Sequence, residues 1–422
     1  MYIAFLILLS YYALKGYVSE ATNPYVVAVL WLCVLALKRN ICAPSTLRAL
    51  ILLAVVFGIM FALLNVLSTD ALKIVKRMQF YFGTLLFVVL GYNIASSVGA
   101  KKGQENIRHD LIPSFVKLVI VWLSGVTLLE FMLTNAFGLS YETIYRREHG
   151  HFFNEFPHRA LGLASNATIN NVLISVAYLA GVVACRGRLP KRYLILALLA
   201  FAASFSGTAL LVGGTLLTFF ICTSFKRAMF FGLTLVPFIL LGMYVLAETD
   251  SSEIPFIVKI GPAYVQFVFE EFLLYLEKVF SQGAMRLLLG GGPLDALEEG
   301  EDRGEDLSAT SDFGLLLLIS EIGLVGLGVC LVLVVFFSKA IYAYVGQDKL
   351  KVLACIPYLL LAATLHYAVM FNVCVQVFSG LLWGMMLYVN KAELSSFLGG
   401  KERLLCLHNG KLGGPAPAPH PV

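Results

Sequence analysis

Long apolar segments recur along almost the whole chain, and they constrain its fold more than any other feature. Most of them approach the roughly 20 residues that an α-helix needs to cross the hydrocarbon core of a bilayer. Only 14% of the 422 residues are charged, against about 25% in a typical soluble domain. One water-soluble core cannot hide so much apolar surface, so the sequence predicts an all-α polytopic membrane protein.

About twelve segments are candidates for membrane-spanning helices by length and hydropathy. They lie at about 2–18, 24–37, 47–66, 78–98, 111–134, 168–185, 193–206, 208–224, 228–247, 313–337, 352–370 and 373–390. Ser206-Gly207 is the only break between the seventh and the eighth, so this pair is either a tight hairpin or one broken helix. We expect residues 1–390 to form a single transmembrane domain. Residues 391–422 are expected to be a cytoplasmic tail, disordered at its Gly- and Pro-rich end.

The distribution of basic residues predicts the orientation, because loops rich in Lys and Arg stay on the cytoplasmic side. With the N-terminus inside, almost every cytoplasmic turn holds a basic cluster, such as Lys101-Lys102 or Lys191-Arg192. The two large polar loops, 135–167 and 248–311, then lie outside. The net charge of +5 comes from these short clusters between spans, so it gives no reason to expect a nucleic acid as a partner.

The first outer loop combines basic, aromatic and small residues, and His158, Arg159 and Asn166 stand at its end beside a span. An Arg guanidinium can bind two phosphate oxygens at once, and it keeps its charge when partly buried. The loop therefore predicts an anion-binding site. Arg146 and Arg147 belong to the same basic patch, and for these two residues attraction to anionic lipid headgroups is the favoured explanation.

The second outer loop contains Arg286 and the glycine run Gly290, Gly291 and Gly292. Glycines allow a loop to wrap a ligand with its backbone N–H groups, and the alternative is a flexible bend. Asp312 stands immediately before a span, where partial desolvation raises the pKa of a carboxylate towards the range of a general base. Its alternative role is that of a helix N-cap, which is compatible with the first.

Few ionisable residues lie within the spans, and Glu130 and Glu321 are two of them. We expect both to be structural, with Glu321 facing the protein interior. The eight cysteines are scattered without the spacing of metal ligands, and we expect them to be small buried apolar residues. The sequence therefore predicts no metal site.

Several short motifs in the order observed here resemble the bacterial O-antigen polymerase and O-antigen ligase superfamily of polytopic glycosyltransferases. Arg159-Ala-Leu-Gly162 with Asn166 resembles an Arg, Gly and Asn stretch before a span. Leu289 to Gly292 resembles the glycine motif of the large loop, and Asp312 to Gly323 resembles the final motif. Ser204 to Thr208 resembles a Ser-x-Ser-Arg motif, with Gly207 in place of the Arg, so one expected phosphate contact is missing.

The resemblance implies a GT-C-like fold in the bacterial inner membrane with an active site facing the periplasm. It implies transfer of a glycan from undecaprenyl pyrophosphate, without a cofactor or metal, and a chain-length regulator as a further protein partner. Arg159 and Arg286 would stabilise the pyrophosphate leaving group, and Asp312 would be the base, with His158 as the second candidate. Asp312 falls where ligases carry a His, which favours a polymerase. The alternatives are a ligase, a polysaccharide transporter and a non-catalytic assembly partner.

Overall fold

The computed structural model describes residues 45–65, 83–96, 105–145, 158–164, 166–185, 189–206, 213, 270–290 apart from 271, 275, 278 and 282, 314–342 and 372–389. In these ranges the regular structure is helical and contains no strand. The helices are α1 (Ser45–Asn65), α2 (Gly83–Ser96), α3 (Glu105–Ala136), α4 (Tyr141–Tyr145), α5 (Ala167–Ala184), α6 (Lys191–Ser204), α7 (Ala284–Leu289), α8 (Gly314–Tyr342) and α9 (Val373–Val389). The described residues between 270 and 281 are also helical.

The predicted helical segments from 47–66 to 193–206, together with 313–337 and 373–390, coincide with α1, α2, α3, α5, α6, α8 and α9. Within them, Pro113–Ala136 and Gly314–Val332 are long and apolar enough to cross a membrane. The break predicted at Ser206 is confirmed as a helix end, because α6 stops at Ser204 and Phe205 takes a left-handed conformation. The segments 2–18, 24–37, 228–247 and 352–370 lie outside the described residues, as does 208–224 apart from Gly213.

The main core forms where α2, α3, α5, α6 and α9 pack together. These helices are apolar around most of their circumference, as expected for helices surrounded by other helices. At the centre of this core Ile120, Leu123, Leu173, Ile174 and Phe378 are at most 1% exposed. Outward-facing residues such as Leu129 and Ile195 are also apolar, and both are more than half exposed. Apolar exposure on this scale fits a protein whose outer surface meets lipid.

Helices α2 and α9 cross at very short range, because glycines remove the side chains between them. Gly380 and Gly384 stand four residues apart on α9, and a Cβ at either would overlap the backbone of α2. Gly91 of α2 is equally close to the backbone of Leu381. Spacing of this kind is typical of helix pairs in membranes, where packing rather than the hydrophobic effect drives association.

A second group of contacts surrounds the first half of α8. This helix is broken at Gly323, whose φ of 66° and ψ of −177° are not helical. The backbone of Leu288 and Gly290 packs directly against the break, where neither Gly290 nor Gly323 has room for a Cβ. Gly290 of the glycine motif and the Glu321-Ile-Gly323 motif therefore meet, although Gly290 and Glu321 are 31 positions apart in the sequence. As predicted, Glu321 is buried, with 1% of its surface exposed.

Candidate functional site

Residues 158–164, here called the Arg159 loop, fold against the ends of α3, α5 and α6. Ala160 to Ala164 are all buried, although no regular helix contains them. Buried backbone N–H and C=O groups must find partners inside the protein, because water does not reach them. The partners of this loop come from several different helices and determine its shape.

The first of these partners is the side chain of Asn135, near the end of α3. Its Nδ2 donates a hydrogen bond to the carbonyl oxygen of His158 at 2.8 Å, and its Oδ1 accepts one from the His158 N–H at 2.7 Å. The amide thus pairs with both polar backbone groups of one residue, as a neighbouring β-strand would. This pairing holds His158 by its backbone, and its imidazole lies edge-on to the ring of Tyr141 with the ring centroids 6.3 Å apart.

The next two backbone groups of the loop are held by α4 and α6. The hydroxyl of Tyr141 donates a short hydrogen bond to the carbonyl oxygen of Arg159. The N–H of Ala160 donates to the carbonyl oxygen of Ala203 at 2.9 Å. The peptide bond that follows Arg159 is therefore held at both ends by different helices.

A carboxylate binds the end of this stretch. Glu130 of α3 is 3% exposed, and its Oε1 accepts a hydrogen bond from the N–H of Leu161 at 2.8 Å. Its Oε2 accepts one from the N–H of Gly162 at 2.6 Å. Two consecutive N–H groups that converge on one anion form a concave anion-binding turn of the kind seen in phosphate loops. Here the anion is a side chain of the protein itself.

Gly162 can make this turn because it has no side chain. Its φ is +68°, which favours glycine, and a Cβ would overlap the amide of Asn170. Asn170 is itself held by a hydrogen bond from its Nδ2 to the Oγ1 of Thr127 at 2.9 Å. The turn is thus supported from α5 below and from α3 at the side.

The charge of Arg159 survives this environment. Burial lowers the pKa of its guanidinium to about 10, although Tyr141 acts in the opposite direction. Burial, and then the charge of Glu130, raises the pKa of Tyr141 to about 12, with Arg159 acting against them. At neutral pH Arg159 is therefore a half-buried cation and Tyr141 keeps the proton that it donates.

Polar side chains continue from the loop along the facing sides of α5 and α6. Asn171 donates from its Nδ2 to the Oγ of Ser204 at 2.9 Å, and the hydroxyls of Thr168 and Ser206 lie 3.5 Å apart. Asn166 caps α5, with its Oδ1 accepting a hydrogen bond from the N–H of Ile169 at 3.2 Å. Asn166 thus has a structural role here, which is compatible with the ligand contact predicted for it.

Of the site residues predicted in 248–311, the structure describes Arg286 and Gly290. Arg286 is exposed on α7, and Gly290 closes that helix against the break in α8. Among the described residues no hydrogen bond joins α7 to the Arg159 loop. The other predicted site residues, which are Arg146, Arg147, Gly291, Gly292 and Asp312, lie outside the described residues. Within the described ranges no group of three or more His, Cys, Asp or Glu residues is arranged to hold a metal ion.

The sequence pointed to Arg159 and Gly162 but not to the side chains that hold them. No sequence pattern marks Asn135 or Tyr141 as part of a site, and the sequence predicts only a structural role for Glu130. The one available signal was the presence of a carboxylate within an apolar segment, since such a charge needs partners close by.

Comparisons of the chain with protein-family models, with characterised proteins and with solved structures found no match.

Proposed function

We propose that this chain is an O-antigen polymerase, or the polymerase of a related surface polysaccharide. It would act in the bacterial inner membrane, crossing it about twelve times, with residues 135–167 and 248–311 in the periplasm. Its donor would be a glycan on undecaprenyl pyrophosphate and its acceptor a lipid-linked repeat unit. The motif order from Arg159 to Gly323 is the basis for the family, and a chain-length regulator is the expected protein partner.

One observation of the fold supports this function most directly, namely the fixed, half-buried cation at Arg159. A leaving pyrophosphate develops negative charge, and preorganised positive groups in a site of low polarity stabilise that charge best. Arg159 combines a permanent charge with a backbone held by Asn135, Tyr141 and Ala203. A solvated loop that merely attracts lipid headgroups would not need this many fixed contacts.

In the proposed reaction the bond between the anomeric carbon and the pyrophosphate oxygen breaks, and the electron pair leaves with the pyrophosphate. The acceptor hydroxyl forms the new glycosidic bond and passes its proton to a base, for which Asp312 is the first candidate and His158 the second. Arg159 would bind the departing pyrophosphate, with Arg286 as a second cation from the other loop. The scheme needs no metal.

A ligase that transfers the glycan to lipid A-core is the nearest alternative, and a transporter is a more distant one. Broken helices are common in transporters, and the break at Gly323 is a feature of that kind. Here, however, the break has a local cause, because the backbone of Leu288 and Gly290 occupies the space that a regular helix with side chains would fill.

Deletion of the gene, followed by gel analysis of the lipopolysaccharide, tests the proposal. Loss of a polymerase leaves a core that carries a single repeat unit. Loss of a ligase leaves a bare core and accumulated lipid-linked polymer, and loss of a transporter leaves neither product outside the membrane. Complementation with Arg159→Ala should fail although the protein accumulates, and Arg159→Lys should restore only part of the polymer because Lys lacks the planar fork.

A further inference from the structure

We propose that Glu130 is a positioning residue that sets the place of Arg159 from within the membrane-embedded part of α3. This inference rests on the proposed function for its meaning in catalysis, but its structural part can be tested without any activity. Glu130 is buried, and a desolvated carboxylate is stable only when hydrogen bonds compensate for the lost water. Two of its hydrogen-bond partners, the N–H groups of Leu161 and Gly162, lie in the Arg159 loop.

The geometry of these contacts requires a carboxylate. Both atoms that face the loop must accept, because both groups opposite, the N–H of Leu161 and the N–H of Gly162, are donors. A Gln at this position can present one carbonyl oxygen, but its NH₂ group would then face the second N–H. An Asp keeps both acceptors but is one methylene shorter, so it cannot reach both N–H groups without a shift of the backbone.

The link from Glu130 to Arg159 is short, because its two hydrogen bonds to the loop end on residues only two and three positions further along the backbone. Leu161 is two residues after Arg159, and the intervening Ala160 is itself fully buried and bound to Ala203. Release of the turn at Leu161 and Gly162 would therefore remove the contacts that follow Ala160, and it would leave Asn135, Tyr141 and Ala203 to hold the chain up to that residue. The guanidinium would still be present and charged, but its position would be less firmly fixed, and preorganisation is what makes such a charge effective.

Trypsin cleavage tests whether Glu130 holds the Arg159 loop, here called the Glu130 clamp, and the test needs no activity of the protein. The enzyme cleaves the peptide bond after Arg159, and this bond is protected as long as the loop stays bound, since cleavage requires local opening. In purified protein, Glu130→Gln should speed cleavage after Arg159 by about tenfold or more, the effect of losing a hydrogen bond to a charged group. Cleavage after Arg147 serves as the internal reference. Glu142→Gln is the matched control, because Glu142 is exposed on α4 and its substitution removes the same charge.

Glu130→Asp should give an intermediate rate and keeps the test decisive if the Gln variant does not fold. Unchanged cleavage after Arg159 in both variants would overturn the clamp.

A second measurement asks whether the clamp acts through Arg159, using binding of a polyprenyl pyrophosphate to the protein in nanodiscs. Glu130→Gln should weaken binding by about tenfold when Arg159 is present and not at all in the Arg159→Ala background.

Equal weakening in both backgrounds would show a general structural role and overturn the positioning role. If the unaltered protein binds no polyprenyl pyrophosphate, the donor substrate in the proposed function is wrong. In that case the cleavage rates still decide whether Glu130 holds the loop.

Discussion

At the scale of single residues, the site depends on groups that are small or fixed rather than on groups that are reactive. Gly162 gives the turn its shape, and Glu130, Asn135 and Tyr141 bind successive backbone groups on either side of Arg159. Each of these contacts joins residues 18 to 32 positions apart. The sequence identifies Arg159 as a candidate because its chemistry is local, whereas the contacts that hold it form only in the folded chain.

Gly162→Ala should lower both stability and activity. Two effects contribute, the strain of a left-handed backbone and the overlap of the new Cβ with a neighbour, and Gly138→Ala measures the strain alone. Both glycines have a positive φ, +68° and +65°, so both alanine variants carry the strain of a left-handed backbone, about 1–2 kcal/mol. Only at residue 162 would the new Cβ also overlap a neighbour, the amide of Asn170, since residue 138 faces open space. The overlap should add about 1–3 kcal/mol. Melting temperatures of the two variants in detergent that fall equally would contradict this packing.

Asp312 is the residue whose proposed chemistry can be separated most sharply from a structural role. A general base must be ionised, so Asp312→Asn should lower the turnover of lipid-linked repeat units by about 10²–10⁴-fold. Asn caps a helix about as well as Asp. If Asp312 is only a cap, the Asn variant should turn over normally, and Asp312→Ala should cost about 1 kcal/mol of stability. An assay with purified substrate and all three proteins distinguishes these outcomes, and normal turnover by the Asn variant would move the base to His158 or away from side chains.

At the scale of elements, length and hydropathy predicted the described helices well, but they gave no information on which helices are in contact. The predicted helix 168–185 is α5, Ala167–Ala184, and the predicted end near Ser206 is the end of α6. Length and hydropathy are sufficient for such predictions, because a helix satisfies its own backbone in lipid. Nothing in the hydropathy of α2 or α9 indicated that these two would pair. Their contact depends on glycines at matching heights, and the matching requires knowledge of both helices in space.

The close crossing of α2 and α9 predicts that a larger residue at the contact lowers stability, independently of activity. Gly384→Ala should destabilise the protein, because the added methyl group would overlap the backbone of α2 at Val88 and Tyr92. The helices would have to separate, at a cost of about 1–3 kcal/mol. Gly328→Ala is the control, since Gly328 lies within helix α8 and a Cβ there meets open space. Alanine should be neutral there or stabilise the helix by up to about 1 kcal/mol. Thermal unfolding in detergent that ranks the two variants in the opposite order would exclude this close crossing.

At the scale of the whole molecule, the packing separates a rigid scaffold from the surface that would carry chemistry. The core of α2, α3, α5, α6 and α9 lies directly beneath the Arg159 loop, and Glu130 and Asn170 reach from this core to hold it. In many proteins rigid helices support a loop that carries the functional groups, because those groups must be placed accurately. The loop therefore lies at one end of these helices, and under the proposed function we expect that end to face the compartment that holds the lipid-linked sugars.

Labelling of single cysteines tests this orientation. The Arg159 loop precedes α5 and position 187 follows it in the sequence, and the helix between them has 18 residues, or a length of about 27 Å. A helix of this length can bring its ends close to opposite faces of the hydrocarbon core. The basic residues around position 187 predict that this part of the chain is cytoplasmic. Cysteines at positions 150 and 300 should therefore react with an impermeant maleimide in intact spheroplasts, and one at 187 should react only after the membrane is opened. Labelling of position 187 alone in intact cells would invert the topology and place the Arg159 loop in the cytoplasm, where the proposed donor and acceptor are not polymerised.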